Sequence, residues 1–411
     1  MLKHLKLDLT PFKKYPNYRF LYTGQFVSVF GTMITAVAIP YQMYAITKST
    51  FHVGLLGIVQ LVPLVISGFW GGALADSFDR RRLVINAELG MCAGNLALIL
   101  FTLQESNNYY ILYALAGLMA ILKGLASPAI EALTQQLIDH KDIPKVSTLQ
   151  SIKNTIGHIG GPALGGVLIA SFGMAATYIV DFITFLFSIL MVMKIKDVPL
   201  IKERTKASVS SIKEGFTYAI TRPHLIGTYV VDMMAMTLAY PHPLFPAFSE
   251  IMGGPEKLGW FYSAPAIGAF LASITSSWTH KIKRHGLGIT LASVGWCLGI
   301  AGFGYSSNFY LGIFCLMFAG FVDMLSGIFR SMMWNETIPK EFRGRLASVE
   351  MISYSSGPLL GNTFMGTLAT GIGPARALFY GGMLGAAGSL FLGRGIKKFW
   401  DYKAVREDSH A

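Results

Sequence analysis

Charge is what this 411-residue chain has least of: charged residues make up 14% of it, against about 25% in soluble domains. So little charge excludes an ordinary soluble fold. Cysteine is scarcer still. Cys92, Cys297 and Cys315 lie in apolar stretches at no metal-ligand spacing, which excludes a disulfide scaffold or a thiolate metal site and leaves them as packing residues. No HExxH, GxSxG or Walker-type loop occurs, so the pattern offers no zinc-hydrolase, serine-nucleophile or nucleotide chemistry. An intramembrane enzyme would have to rest on arbitrary side-chain pairings. No metal and no cofactor is expected. The first 19 residues are polar and basic with no short apolar run, so no cleavable signal peptide is expected either.

What the chain has in excess is apolar surface. Hydrophobic residues reach 53% and the mean hydropathy is +0.49, the composition of a polytopic membrane protein. A span needs about 20 apolar residues. By that measure twelve spans are expected, at roughly 20–46, 51–75, 83–103, 110–135, 147–170, 172–195, 224–248, 257–279, 287–306, 308–334, 346–370 and 375–396. An even number puts both termini on one side. The bases agree: 28 of the 34 fall on the side of the termini, only Lys48, Lys257 and Arg376 on the other, and Lys123, Lys153 and Arg330 within spans. The positive-inside rule then places both termini in the cytoplasm. The net charge of +12 reads as topology rather than nucleic-acid binding.

The longest interruption, about 195–222, is rich in Lys, Ser and Thr and divides six spans from six. The expected domains are therefore 1–195, a cytoplasmic linker 196–222, and 223–411. Within the linker, Ser211 to Ile220 reads as a short amphipathic helix on the membrane surface. The halves also resemble each other. Leu56-Gly57 with Pro63 in the second span returns as Leu258-Gly259 with Pro265 in the eighth, and Gly161-Pro162-Ala163-Leu164-Gly165 in the fifth as Gly357-Pro358-Leu359-Leu360-Gly361 in the eleventh. Such repeats imply an all-α membrane protein of two six-helix bundles related by pseudo-two-fold symmetry, with binding near the midplane. The loops on the side opposite the termini are too short to hold a folded domain.

Two motifs stand out. Between the second and third spans, Gly72-Ala73-Leu74-Ala75-Asp76-Ser77-Phe78-Asp79-Arg80-Arg81-Arg82 packs two carboxylates and three arginines into its last seven residues. The fifth span carries Gly157, Gly160, Gly161, Pro162, Gly165 and Gly166, which by itself means close helix packing and a bend.

With these motifs the chain resembles the major facilitator superfamily. The first resembles its loop signature, G-x-x-x-D-[RK]-x-G-R-[RK], with Ser77 where the family has a base and Asp79 where it has glycine. The second, Gly157-x-x-x-Gly161-Pro162-x-x-Gly165-Gly166, resembles its antiporter motif. Asp232-Met233-Met234-Ala235, Leu244-Phe245-Pro246-Ala247, Phe261 to Ala269 and Arg343-Gly344-Arg345 are similar to the siderophore- and macrolide-exporter branch. The resemblance implies twelve helices, alternating access, and proton-driven antiport of a small organic molecule across a bacterial inner membrane, by a protein expected to act as a monomer. It implies a gate at Gly72, Asp76, Arg80 and Arg81. There Asp76 docks at the start of the eleventh helix, beside Arg345.

Ionisable residues inside a membrane are costly and call for a reason. Asp323 and Asp232 are the expected proton-coupling acids. Lys123 and Arg330 suit an anionic substrate, and Gln25, Thr32 and Tyr240 are candidates to contact it. By depth, Asp232 meets Arg330 and Lys123 meets Asp323; the alternative for each is a structural ion pair. Asp181, His158, Lys153 and Glu350 are weaker candidates. Import by the same fold is the competing direction.

Overall fold

The computed structural model describes the backbone of residues 8–196, 217–218, 220–338 and 340–404, and their side chains except at 69, 73, 75, 76 and 340–355. All regular structure among these residues is helical. Before the long interruption lie α1 (Pro16–Thr47), α2 (Thr50–Ser77), α3 (Arg80–Leu103), α4 (Tyr109–Gln136) and α5 (Ile143–Met193). After it come α6 (Pro223–Leu238), α7 (Phe245–Ile251), α8 (Pro255–Thr275), α9 (His285–Tyr305), α10 (Phe309–Thr337), α11 (Lys340–Ile372) and α12 (Pro374–Gly395). Nine helical stretches among the described residues are long and apolar enough to cross a membrane. They expose large apolar side chains outward, Phe314, Leu384 and Phe391 among them, and bury polar ones such as Gln25, Asn95 and Asp181. A lipid environment favours that inversion, because no water is present there to satisfy an outward polar group.

Two local breaks shape the chain. The 51 residues of α5 would extend about 75 Å as one straight helix, more than twice a hydrocarbon core of about 30 Å. Gly173, at φ 78° and ψ −179°, divides it into two helices where the fifth and sixth spans were expected to meet; only glycine adopts that backbone without strain. The second break is a correction. The seventh span, expected as one segment over 224–248, stops at Leu238, passes a 3-10 turn at His242–Leu244, and resumes as α7. Pro241 and Pro243 supply no N–H and disfavour helix in the residue before them. Trp296 Nε1 donates to Ala239 O at 3.1 Å, satisfying a carbonyl at the break. The expected amphipathic helix at 211–220 falls mostly outside the described residues; 217, 218 and 220 are helical.

The chain forms two compact units. Unit 1 comprises Met1–Lys48, Ile58–Arg204 and Gly254–Ser263; unit 2 comprises Ser49–Gly57, Thr205–Gly253 and Ala264–Ala411. A cut through the linker would give the same units but for two exchanged segments, 49–57 and 254–263. Each is held by glycine-mediated packing. In unit 2, Gly54 and Gly57 lie against Asn362, and Thr50 Oγ1 donates to Gly366 O at 2.9 Å. In unit 1, Gly259 lies against Pro162 and Ala163, and Ser263 Oγ donates to Ile159 O at 2.6 Å.

Within unit 1, α1 packs along α5 through a glycine face. Gly157, Gly160, Gly161 and Gly165 sit against Val29, Phe30, Met33 and Ile34. A surface clasp fixes the start of α1. Lys14 Nζ lies 2.7 Å from Asp139 Oδ2 and 2.8 Å from Asp142 Oδ2, Tyr15 OH donates to Asp142 Oδ2 at 2.7 Å, and Lys145 lies 3.0 Å from Asp8. Hydrogen bonds from Lys14 and Tyr15 hold the Asp142 carboxyl down to about 2.

Candidate substrate and coupling site

Unit 2 carries an open cavity of about 440 Å³ whose lining includes Asp232, Tyr240, His242, Asp323, Arg330 and Trp334. Three elements aim these side chains. Asp232 projects from α6 about two turns beyond its start. On α10, Asp323 and Arg330 are seven residues apart, which puts them on one face two turns from each other, and Trp334 follows one turn later. The break between α6 and α7 delivers the third group: freed from a helix, Tyr240 stacks on His242 with ring centroids 4.5 Å apart. A discontinuous helix at a binding site is how membrane bundles present polar groups at depth.

The charges are unequal. Arg330 Nη1 lies 2.6 Å from Asp232 Oδ2, so the pair expected from depth is formed. Asp232 is buried, and an ion pair so placed is stabilised by mutual attraction only while both partners are present. Asp323 opens onto the same cavity with no hydrogen bond or ion pair among the described residues. The cavity thus carries two carboxylates and one guanidinium, with one acid left to interact with whatever enters.

Unit 1 handles its acids differently. A polar seam runs where α1, α3 and the second half of α5 meet. Gln25 Nε2 and Ser188 Oγ each donate to Glu88 Oε1 at 2.7 Å. Farther along, Thr35 Oγ1 donates to Asp181 Oδ2 at 2.5 Å, Asn95 Nδ2 to the same oxygen at 3.0 Å, and Thr184 Oγ1 to Oδ1 at 3.2 Å. Beyond that, Tyr178 OH donates to Gln42 Oε1 at 2.7 Å and Gln42 Nε2 to Thr102 Oγ1 at 2.9 Å. Helical spacing explains the alignment: 181, 184 and 188 share one face of α5, and 88 and 95 one face of α3.

The other expected site residues are placed as follows. Gln25 faces the seam, committed to Glu88 and Ser188. Thr32 is half-buried on α1. Lys123 is exposed on α4 and belongs to unit 1, whereas Asp323 belongs to unit 2. Of the gate residues, Gly72 has open space around it. Arg80 Nη1 donates to Ala132 O at 3.2 Å, and Arg81 donates to Val192 O at 3.1 Å and Met193 O at 2.6 Å. Arg81 thereby caps the C-terminus of α5. Asp79 caps α3, accepting from Arg82 N at 3.1 Å. The side chains of Asp76, Arg345 and Glu350 lie outside the described residues. The antiporter-motif residues Gly157, Gly161 and Gly165 form the α1-facing stripe described above; Pro162 is buried, and Gly166 lies against Gly259. Sequence reasoning missed Glu88 as a site residue, although a lone carboxylate in an apolar span is itself the signal.

A family profile described as transmembrane secretion effector matches residues 7–407. The enterobactin exporter EntS of Shigella boydii is 24% identical over 373 residues, covering 90% of this chain and 89% of the exporter. That of Escherichia coli O81 is 23% identical over the same length. Among solved structures, the nucleoside transporter NupG superposes with a TM-score of 0.74 at 13% identity, covering 94% of this chain and 100% of its own. A bacterial homologue of the iron transporter ferroportin in an inward-facing state gives 0.68 at 15% identity, covering 93% and 98%. At such identities the structures speak for the fold alone.

Proposed function

The chain belongs to the transmembrane secretion effector family of the major facilitator superfamily, and from that premise we propose that it exports a small organic molecule, such as a siderophore, by proton-driven antiport. It is a multi-pass membrane transporter related to the enterobactin exporter, and not an enzyme. In this reading twelve helices in two six-helix bundles alternate access across a bacterial inner membrane, both termini are cytoplasmic, and the proton gradient is the energy source. The monomer suffices and no cofactor takes part.

The observation that carries the reading is the cavity of unit 2, with Arg330 bound to Asp232 and Asp323 left open. Coupling needs an acid that takes a proton from one side and gives it to the other. Asp323 meets that need directly, and Asp232 meets it if Arg330 is drawn away by substrate. Arg330, Tyr240 and, in unit 1, Lys123 and Thr32 are the substrate-contact candidates; Gln25 serves Glu88 instead. Asp76, with Gly72, Arg80, Arg81 and Arg345, forms the gate. A second reading, efflux of basic amphipathic drugs such as macrolides, is favoured by the excess of carboxylate over guanidinium in the same cavity.

The test is transport into proteoliposomes under an imposed pH gradient, with enterobactin and a macrolide as the two probes. Asp323→Asn keeps the shape and loses the titratable proton. It should abolish gradient-driven accumulation while substrate exchange without a gradient persists. Accumulation at the wild-type rate in that variant would remove Asp323 as the carrier.

A further inference from the structure

The cavity of unit 2 leaves two buried carboxylates unused. Glu88 and Asp181 are 2% and 0% exposed, and every donor that reaches them is neutral. The groups packed around them are neutral too. From α1 come Gln25 and Thr35. From α5 come Thr184, Ser188 and Tyr178, whose hydroxyl is committed to Gln42. On α3 itself Cys92 lies one turn beyond Glu88. From α4, Met119 and Leu122 pack on α3 at Gly94 and Gly90, and Ala126 and Ile130 join them. Arg81, two turns before Glu88 on the same face of α3, is committed to the carbonyls of Val192 and Met193.

Two buried atoms of the seam have no hydrogen-bond partner: Glu88 Oε2 and Asn95 Oδ1. Both are acceptors, and Asn95 is fully buried. A buried acceptor without a donor is unfavourable, and a proton on the carboxyl group would supply one. Turning the Asn95 amide over does not cure the shortage. It withdraws a donor from Asp181 and aims an oxygen at a carboxylate, which is tolerable only if that carboxylate bears a hydrogen. A metal ion fits poorly: calcium and magnesium ask for about six converging oxygens, and no cluster of three or more His, Cys, Asp or Glu that could hold a metal exists among the described residues.

We propose that the α1–α3–α5 seam of unit 1 is a proton-binding site, with Glu88 as the acceptor and Asp181–Asn95 as a second station, separate from the cavity acids of unit 2. The step forms one O–H bond at Glu88 Oε2 and breaks one in a hydronium ion, which leaves as water. From Gln25 to Gln42 the seam follows about 25 Å of helix, most of the hydrocarbon thickness. It has the length to exchange with water at its ends. The inference requires only that the chain spans a membrane, not that it exports any particular substrate.

The experiment is pH-difference infrared spectroscopy of the full-length protein in lipid nanodiscs, with no substrate present. The wild type should show the carbonyl stretch of a carboxylic acid that shifts in heavy water and disappears on alkaline titration. Glu88→Gln, which can keep the contacts to Gln25 and Ser188, should remove that component and cut proton uptake across the titration by a full proton per chain. Asp323→Asn should leave the component in place, whatever it does to transport. A component unchanged in Glu88→Gln overturns the proposal, as does one displaced by sodium at constant pH. Should Glu88→Gln fail to fold, Ser188→Ala takes its place. Deleting that hydrogen bond must move the band frequency, and an unmoved band overturns the assignment.

Discussion

Asp232 of unit 2 and the pair Glu88 and Asp181 of unit 1 are all buried carboxylates, and they are stabilised by opposite means. In unit 2 the acids face a cavity, and Asp232 is bound to a formal positive charge, Arg330, at 2.6 Å. In unit 1 Glu88 and Asp181 lie in a closed helix seam and are held by amides and hydroxyls alone. An ion pair at a cavity is an exchangeable contact: a ligand of either sign competes for it. A closed seam of neutral donors admits little beyond water or a proton. The same residue type is therefore open to ligand and proton alike in one unit, and to a proton alone in the other.

The largest expected effect comes from breaking the ion pair. Arg330→Met strands Asp232 beside Asp323 and should cost about 3–5 kcal/mol of stability, read as a lower thermal midpoint in detergent. Adding Asp232→Asn should recover most of the loss. The counterpart in unit 1, Thr35→Val, takes one of three donors from Asp181 and should cost only about 1 kcal/mol. Equal losses in the two units would erase the distinction between a paired charge and a shared hydrogen-bond set.

A smaller effect separates the units by packing. Gly161 faces Met33 with no room for a methyl group, whereas Gly327, on α10 at the cavity, has nothing near it. Gly161→Ala should destabilise by about 1–3 kcal/mol through overpacking. Gly327→Ala should be neutral or stabilising by up to about 1 kcal/mol, since alanine is the better helix former. Thermal unfolding of the two variants side by side decides it.

The smallest effect concerns the surface clasp of unit 1 around Lys14 and Asp142. Asp142 is depressed to about 2 in the fold, by hydrogen bonds from Lys14 and then Tyr15, and titrates near 3.9 when unfolded. A depressed carboxyl contributes stability above its unfolded value and loses it as pH falls through the folded one. The clasp should therefore be insensitive to pH from neutrality down to about 4 and weaken between about 4 and 2. In Asp142→Asn the thermal midpoint should lose that part of its acid dependence and keep the rest.

Residue order alone determined a good deal. The all-helical membrane character, the glycine stripe Gly157-Gly161-Gly165 and the Asp232–Arg330 pairing were all legible, because each follows from composition, helical period or depth along a helix. The interruption of the seventh span was legible in principle, since Pro241 and Pro243 announce it, but hydropathy averages over a break that the backbone cannot. Tertiary structure alone decided which polar residues face a cavity and which face another helix. Gln25 on α1 and Tyr240 at the end of α6 look alike as polar positions in apolar spans. One completes a hydrogen-bond set with Glu88, 63 residues away, and the other lines a void. The reason is physical. Periodicity specifies which residues share a face of one helix, but the partner of that face is set by packing among distant helices. A buried polar group takes its role from that partner.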